Sequence, residues 1–204
     1  MENILLTVSR LQKKRGAPLF APVSFTLGRG GGLGIYGRNG CGKTTLLDIV
    51  AGLTPPDAGE FTCSGRVGYV MQRDGFQDAL SCRDNLRVEA ALCALSGRTA
   101  RARIQACAEQ CDIVAFWRKR LSRCSVGMRA RLAIAAALLP DPDILLLDEA
   151  FSGLDQESAA AVQQLLREKK QAGTALLLVS HNREDFVGLC EHVLELPEAE
   201  WRPV

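Results

Sequence analysis

Apolar positions in this chain follow two patterns that alternate along it. Short apolar runs at residues 3–8, 23–27, 33–36, 67–71, 144–148 and 175–179 predict strands. Apolar residues spaced three and four apart predict helices over 45–53, 84–95, 100–111, 125–139 and 156–171, with a further short helix near the C-terminus. Residues 28–32 form a glycine-rich turn into the third strand. Pro55, Pro56 and Gly59 stop the first helix. Strands alternating with helices predict an α/β fold, a mostly parallel sheet covered on both faces. Between about residues 73 and 123 the composition changes, and Ala, Arg, Leu and Cys dominate at helical spacing. That section predicts a helical subdomain inserted into an α/β core made of 1–72 and 124–204. The 204 residues suit one domain.

Composition narrows the function classes. Hydrophobic residues make up 47% and charged residues 24%, as in a water-exposed globular domain. A net charge of +2 is too small to imply nucleic acid or an anionic membrane surface as the main partner. The basic stretch Arg118-Lys119-Arg120 beside Trp117, with Arg98, Arg101 and Arg103, reads as a solvated helical face rather than a nucleic-acid patch. No apolar run reaches the length of a membrane span, and residues 1–10 lack the pattern of a signal peptide, so a cytosolic location is expected. Eight cysteines are scattered without a Cys-x-x-Cys pair, and only His181 and His192 accompany them, which argues against a zinc site. Cys107 and Cys111 lie four apart on a predicted helix and read as small buried side chains.

Residues 37–44 read Gly-Arg-Asn-Gly-Cys-Gly-Lys-Thr, the pattern Gly-x-x-x-x-Gly-Lys-Thr of a phosphate-binding loop. A strand is predicted before it and a helix after it. Its glycines let backbone N–H groups from Gly37, Arg38, Asn39, Gly40, Cys41 and Gly42 turn inward as an anion nest at a helix N-terminus. Lys43 reaches the β- and γ-phosphates, the Thr44 hydroxyl binds magnesium, and Thr45 follows on the helix. Cys41, near Lys43 and the helix N-terminus, is expected to have a lowered thiol pKa. Gly32-x-Gly34-x-x-Gly37 also fits a dinucleotide fingerprint, but its glycines sit in the strand rather than after it, which excludes that reading. The run Ile144-Leu145-Leu146-Leu147 ends in Asp148-Glu149, two carboxylates at the ligand-binding edge of an α/β sheet. Asp148 suits a magnesium ion and Glu149 the water that attacks the γ-phosphate.

On these motifs the chain resembles the ATP-binding subunit of an ABC transporter, of the bacterial exporter-like kind. The resemblance spans nearly the whole chain. Residues 37–44 match the Walker A loop, and Asp148-Glu149 match Walker B and its catalytic glutamate. Tyr69-Val70-Met71-Gln72 resembles the Q-loop, Ser152-Gly153-Leu154-Asp155 the D-loop, and His181 the switch histidine that contacts the γ-phosphate. The resemblance implies a P-loop fold with an N-terminal antiparallel β subdomain, Mg–ATP as ligand, and Gln72 with Thr44 and Asp148 as magnesium ligands. It implies Glu149, His181 and Lys43 as catalytic residues. It also implies a head-to-tail dimer, either of two copies or with a paralogous cassette, and an integral membrane subunit that holds the chain at the inner face of the membrane.

Three positions depart from the family pattern. The signature is Cys124-Ser125-Val126-Gly127-Met128, in which Val126 replaces a glycine; Ser125, Gly127 and Met128 would face the opposite subunit's nucleotide. Arg15 stands where an aromatic ring usually stacks on adenine. Its guanidinium can stack in that role, with Phe20 as the alternative and a solvated arginine as the bland reading. Ala150 stands where proline is common. The rival function is an ATP-driven switch of the same fold without a transport role; against it stand a single cassette and the lack of a coiled-coil insertion or strongly basic tail.

Overall fold

The computed structural model describes residues 3–72 and 75–204. Arg73 and Asp74, at the expected start of the helical section, lie outside the described residues. The chain begins with an antiparallel sheet. Strand β1 (Ile4–Gln12) pairs on one side with β4 (Val23–Gly28) and on the other with β6 (Ala58–Cys63). A small hairpin, β2 (Lys14–Arg15) and β3 (Ala17–Pro18), projects between β1 and β4, with Gly16 at φ 75° in its turn. Asp57 anchors it by accepting from the Lys14 N–H at 2.7 Å and the Lys13 ammonium at 3.1 Å.

The central sheet has the order β11-β10-β5-β9-β8-β7. Strands β5 (Gly32–Gly37), β7 (Val67–Val70), β8 (Ile144–Asp148), β9 (Ala175–Ser180) and β10 (His192–Leu196) run parallel, and β11 (Glu200–Pro203) is an antiparallel edge. Every residue of β8 and β9 is buried. Their alternation feeds two cores, because successive side chains leave a strand on opposite faces. Leu145, Leu147, Leu176 and Leu178 pack with α2 (Cys82–Leu92), α3 (Gly97–Gln110), α4 (Val126–Leu138) and α5 (Gln156–Gln171). Ile144, Leu146, Leu177 and Val179 pack with α1 (Lys43–Val50) and the antiparallel sheet. The Arg103 guanidinium of α3 donates to the carbonyls of Leu138 and Leu139, closing the C-terminal end of α4.

The expected element types are found for the six predicted strands and five predicted helices, with shifted ends. Helix α2 starts at Cys82 rather than near residue 84, because Ser81 caps it by accepting from the Asp84 N–H at 3.1 Å. Two expectations are corrected. The short C-terminal helix shrinks to a single 3₁₀ turn, Arg183–Phe186, and is followed by β10 and β11. Val193, Leu194 and Leu196 are buried against β5, and Pro197 cannot supply a helical N–H. Strand β6 falls where only a helix stop was expected. Its burial is slight, so alternation is weak, and pairing with β1 creates it.

Leu177 is fully buried at the centre of β9, between β5 and β8. Leu177→Ala is expected to destabilise the fold by about 2–5 kcal/mol through lost burial and a residual cavity. Denaturant unfolding followed by circular dichroism measures this.

Candidate active site at the carboxyl edge of the sheet

Strand β5 ends at Gly37 and the loop that follows feeds α1, whose N-cap is Gly42. Gly42 has φ 101°, and a Cβ there would lie 2.7 Å from the Phe20 ring. Phe20 is 2% exposed beneath the loop, so it is a support for the loop and not a surface for adenine. The Lys43 ammonium donates to the carbonyls of Gly37 at 2.8 Å and Arg38 at 3.3 Å, folding back over its own loop.

A cleft of about 450 Å³ opens over this loop. Of the sequence-predicted residues it gathers Arg15, Asn39, Gly40, Gly42, Lys43, Thr44, Thr45, Gln72 and Glu149, together with Leu19 and Asp48. Gly37, Arg38 and Cys41 line an adjoining cleft shared with Asn39 and Gly40. Arg15 reaches the cleft because the hairpin carries it there, and it is exposed. Ser125, Gly127 and Met128 line neither cleft.

Beneath the cleft lies the end of β8. Asp148 is 1% exposed; its Oδ2 accepts from the Thr44 hydroxyl at 2.7 Å, and its Oδ1 has no partner among the described residues. Burial holds the Asp148 carboxyl above its ordinary range; the Thr44 bond opposes this, and the neighbouring Glu149 adds to it. Glu149 leaves the strand at φ 52°, a left-handed conformation that glutamate seldom adopts. Its N–H donates to the Val179 carbonyl at 3.0 Å, which keeps this turn against β9. One carboxylate oxygen lies 3.5 Å from the Lys43 ammonium, and the other accepts from His181 Nδ1 at 2.6 Å. With Glu149 ionised, that bond puts a proton on Nδ1.

Three supporting residues carried no motif signal. The Asp48 carboxylate lines the cleft and accepts from the Tyr69 hydroxyl at 3.0 Å. The Asp185 carboxylate accepts from the Ser180 hydroxyl, and its neighbour Asn182 donates its N–H back to Ser180 at 3.0 Å, bracketing His181. Burial raises the Asp185 carboxyl, and its hydrogen bond to Ser180 opposes that shift. These residues sit one helical turn or one short loop from the motifs, so contact rather than pattern reveals them.

The other motif residues have clear local roles. Ser125 caps α4 by accepting from the Met128 N–H at 3.3 Å and is exposed, as is Val126 beside it. Gly127 is buried, and a Cβ there would lie 2.3 Å from the Ser158 hydroxyl of α5. Asp155 caps α5, its carboxylate accepting from the Ser158 N–H at 2.7 Å. The stretch 118–120 abuts a groove with Arg83, whose guanidinium lies 5.6 Å from the centre of the Trp117 ring. The expected lowering of the Cys41 thiol is reversed: half-burial raises it, and Lys43 only partly offsets that.

A phosphate loop at a sheet's carboxyl edge, with two carboxylates at the next strand end but one, defines a nucleotide-hydrolysing site of the P-loop kind. The sequence profile of the ABC transporter family matches residues 20–152. The chain is 31% identical over 201 residues to the ABC transporter ATP-binding protein NatA of Bacillus subtilis, covering 92% of this chain and 82% of that protein. It is 33% identical over 196 residues to the O-antigen export system ATP-binding protein RfbB of Klebsiella pneumoniae, covering 96% and 80%. A solved ABC transporter of metal-chelate type in an inward-facing conformation superposes with a TM-score of 0.89 at 25% identity, covering 99% of this chain and 83% of that one. The chain belongs to the ABC transporter family. It is an ATP-binding, ATP-hydrolysing transporter component, and its fold is that of the family's cassettes.

Gly127→Ala is expected to destabilise the chain by about 1–3 kcal/mol through overlap with Ser158. Adding Ser158→Gly should return part of that loss, as denaturant midpoints of the two variants would report. Cys41 yields a pH prediction. Alkylation by N-ethylmaleimide needs the thiolate, and the thiol is raised above its ordinary value of 9.0. Labelling at Cys41, followed by mass spectrometry without nucleotide, should therefore rise about tenfold per pH unit from 7 to 9 without a plateau.

Proposed function

We propose that the cleft over residues 37–45 holds Mg–ATP and that two cassettes hydrolyse it across a shared interface to drive a membrane partner. The observation that carries this reading is the Lys43–Glu149–His181 cluster beside an Asp148 oxygen that has no partner among the described residues. Oxygen donors of Asp148 and Thr44, one of them buried without a hydrogen bond, suit a hard divalent cation. Gln72, at the cleft wall, is the third candidate ligand. Bound there, magnesium would neutralise charge on the β- and γ-phosphates.

Lys43 gives up its loop carbonyls for the phosphates, which are the stronger acceptors. Backbone N–H groups of residues 37–42 orient the triphosphate, and Arg15 stacks on the base. Glu149 takes a proton from the attacking water. The short bond to His181 holds that carboxylate in place, and its left-handed backbone aims it into the cleft. His181 then faces the γ-phosphate. Ser125 and Met128 act on the nucleotide held by the other subunit. Ser125 sits at the N-terminus of α4, where a helix end favours an anion. Gly127 contributes by setting that helix against α5 rather than by touching nucleotide, since it is buried against Ser158.

Among the described residues no helix is long and apolar enough to cross a membrane. Relatives named as ATP-binding proteins of export systems support a separate integral membrane subunit that holds the translocation path. That partner would hold the chain at the inner face of the membrane. The names of relatives such as the O-antigen export protein favour export as the direction. The dimer is of two copies or of this chain with a paralogue.

Glu149→Gln should keep ATP affinity and lower turnover roughly 100-fold or more, because an amide cannot accept the proton. Phosphate release and nucleotide titration together test this; undiminished turnover removes Glu149 from the catalytic role. A complementation experiment tests the shared interface. Lys43→Ala and Ser125→Arg chains should each be inactive alone. Mixed, they form a heterodimer in which one site carries both lesions and the other carries none, so hydrolysis should partly return. Full activity of Ser125→Arg by itself would overturn the role of the signature.

A further inference from the structure

Cys82 and Cys124 play no part in the chemistry above, yet their sulphur atoms lie 3.5 Å apart. Cys82 is the first residue of α2 and is fully buried. Cys124 is half-buried and directly precedes Ser125, the cap of α4. The two chain segments are tied side by side: the Cys82 N–H donates to the Lys119 carbonyl at 3.0 Å, and the Leu121 N–H donates to the Leu80 carbonyl at 2.9 Å. Both sulphurs therefore sit on backbone already held in register. Cys107 and Cys111 form a contrast. They lie one helical turn apart at the end of α3, where Cβ atoms are about 5–6 Å apart, too far for a disulfide without unwinding.

We propose that Cys82 and Cys124 are a reversible redox pair whose disulfide restrains the segment leading into Ser125. The oxidant class is a peroxide. The Cys124 thiolate attacks one oxygen of hydrogen peroxide, the O–O bond breaks, and hydroxide leaves with a proton as water. Cys124 is then a sulfenic acid. The Cys82 sulphur attacks the Cys124 sulphur, the S–O bond breaks, and the hydroxyl departs with the Cys82 proton as a second water. Two thiols and one peroxide thus give one disulfide and two waters, and a dithiol reverses it. Cys82 is fully buried and burial raises its thiol, so the first attack falls to the more accessible Cys124. Closing the contact from 3.5 Å to the bond length of about 2.05 Å draws Cys124 towards α2. It also removes the thiol proton that Cys124 offers to the Arg120 carbonyl at 3.6 Å. The consequence for turnover rests on the cross-subunit reading of Ser125.

The test treats the full chain with hydrogen peroxide and maps it by non-reducing peptide mass spectrometry. Expected is a Cys82–Cys124 linked peptide pair, lighter by two hydrogens, that dithiothreitol separates. Absence of the link, or a bond formed elsewhere instead, overturns the proposal, and this readout needs no variant and no ATPase activity. ATP turnover should fall roughly tenfold or more on oxidation and return with dithiothreitol. Cys82→Ala and Cys124→Ala, each compared with its own untreated rate, should lose that reversible drop. An equal reversible drop in both variants overturns the restraint and assigns the effect to another thiol. Should Ser125→Arg alone prove fully active, the cross-subunit reading falls while the mapped bond still stands on its own.

Discussion

Asp148 ends a strand of four buried aliphatic residues, and among the described residues the Thr44 hydroxyl is the one group that satisfies its carboxylate. A carboxylate taken out of water is costly unless it is paired, and here one oxygen is not. The sheet imposes this. Strands β5, β8 and β9 run in one direction, so their carboxyl ends meet at one edge. The phosphate loop leaves β5 at that edge, the two carboxylates leave β8, and His181 leaves β9. The strand alternation that fills both cores also keeps these polar ends together. The site is thus an outcome of how the sheet is buried, and its unmet polar capacity is what a charged ligand would satisfy.

Glu149 and Lys43 extend the same logic. Lys43 bonds to its own loop carbonyls and lies 3.5 Å from Glu149. Lys43 is partly satisfied by neutral carbonyl acceptors that a phosphate outcompetes, whereas Glu149 accepts from His181. The left-handed turn at Glu149 carries strain that the Val179 bond and the packing around it over-determine. Helix α4 meets a different demand. Ser125 and Val126 are exposed while Gly127 is wedged against Ser158, so this end of the helix is fixed from behind and open in front. Such a surface has contacts to give to a second molecule.

The patterns at residues 37–44, Asp148, Glu149 and His181 are legible because each is a set of residue types at fixed spacing, which a chain displays directly. The parallel sheet was legible too. Ile144-Leu145-Leu146-Leu147 and the run beginning at Ala175 are apolar on both alternations, as strands covered on both faces must be. Strand β6 was not, because its side chains are mostly exposed and only the pairing with β1 makes it a strand. The C-terminal strands β10 and β11 carry no readable signal, since four or five residues of mixed polarity have no period long enough to tell strand from helix.

Tertiary structure decided what depends on neighbours distant in sequence. It buried Phe20 beneath Gly42 and brought Arg15 to the cleft on a two-stranded hairpin. It turned the expected acidic Cys41 into a raised thiol, because desolvation of the loop outweighs the charge of Lys43. It brought Asp48 to Tyr69 at the cleft wall and Asp185 to Ser180 beside His181, and placed the Cys82 sulphur beside that of Cys124. Residue order alone displayed the phosphate-loop pattern and those strands and helices whose apolar period is long enough to read. Burial, close approach and the electrostatics of each site are properties of packing, and they arise only once those elements meet.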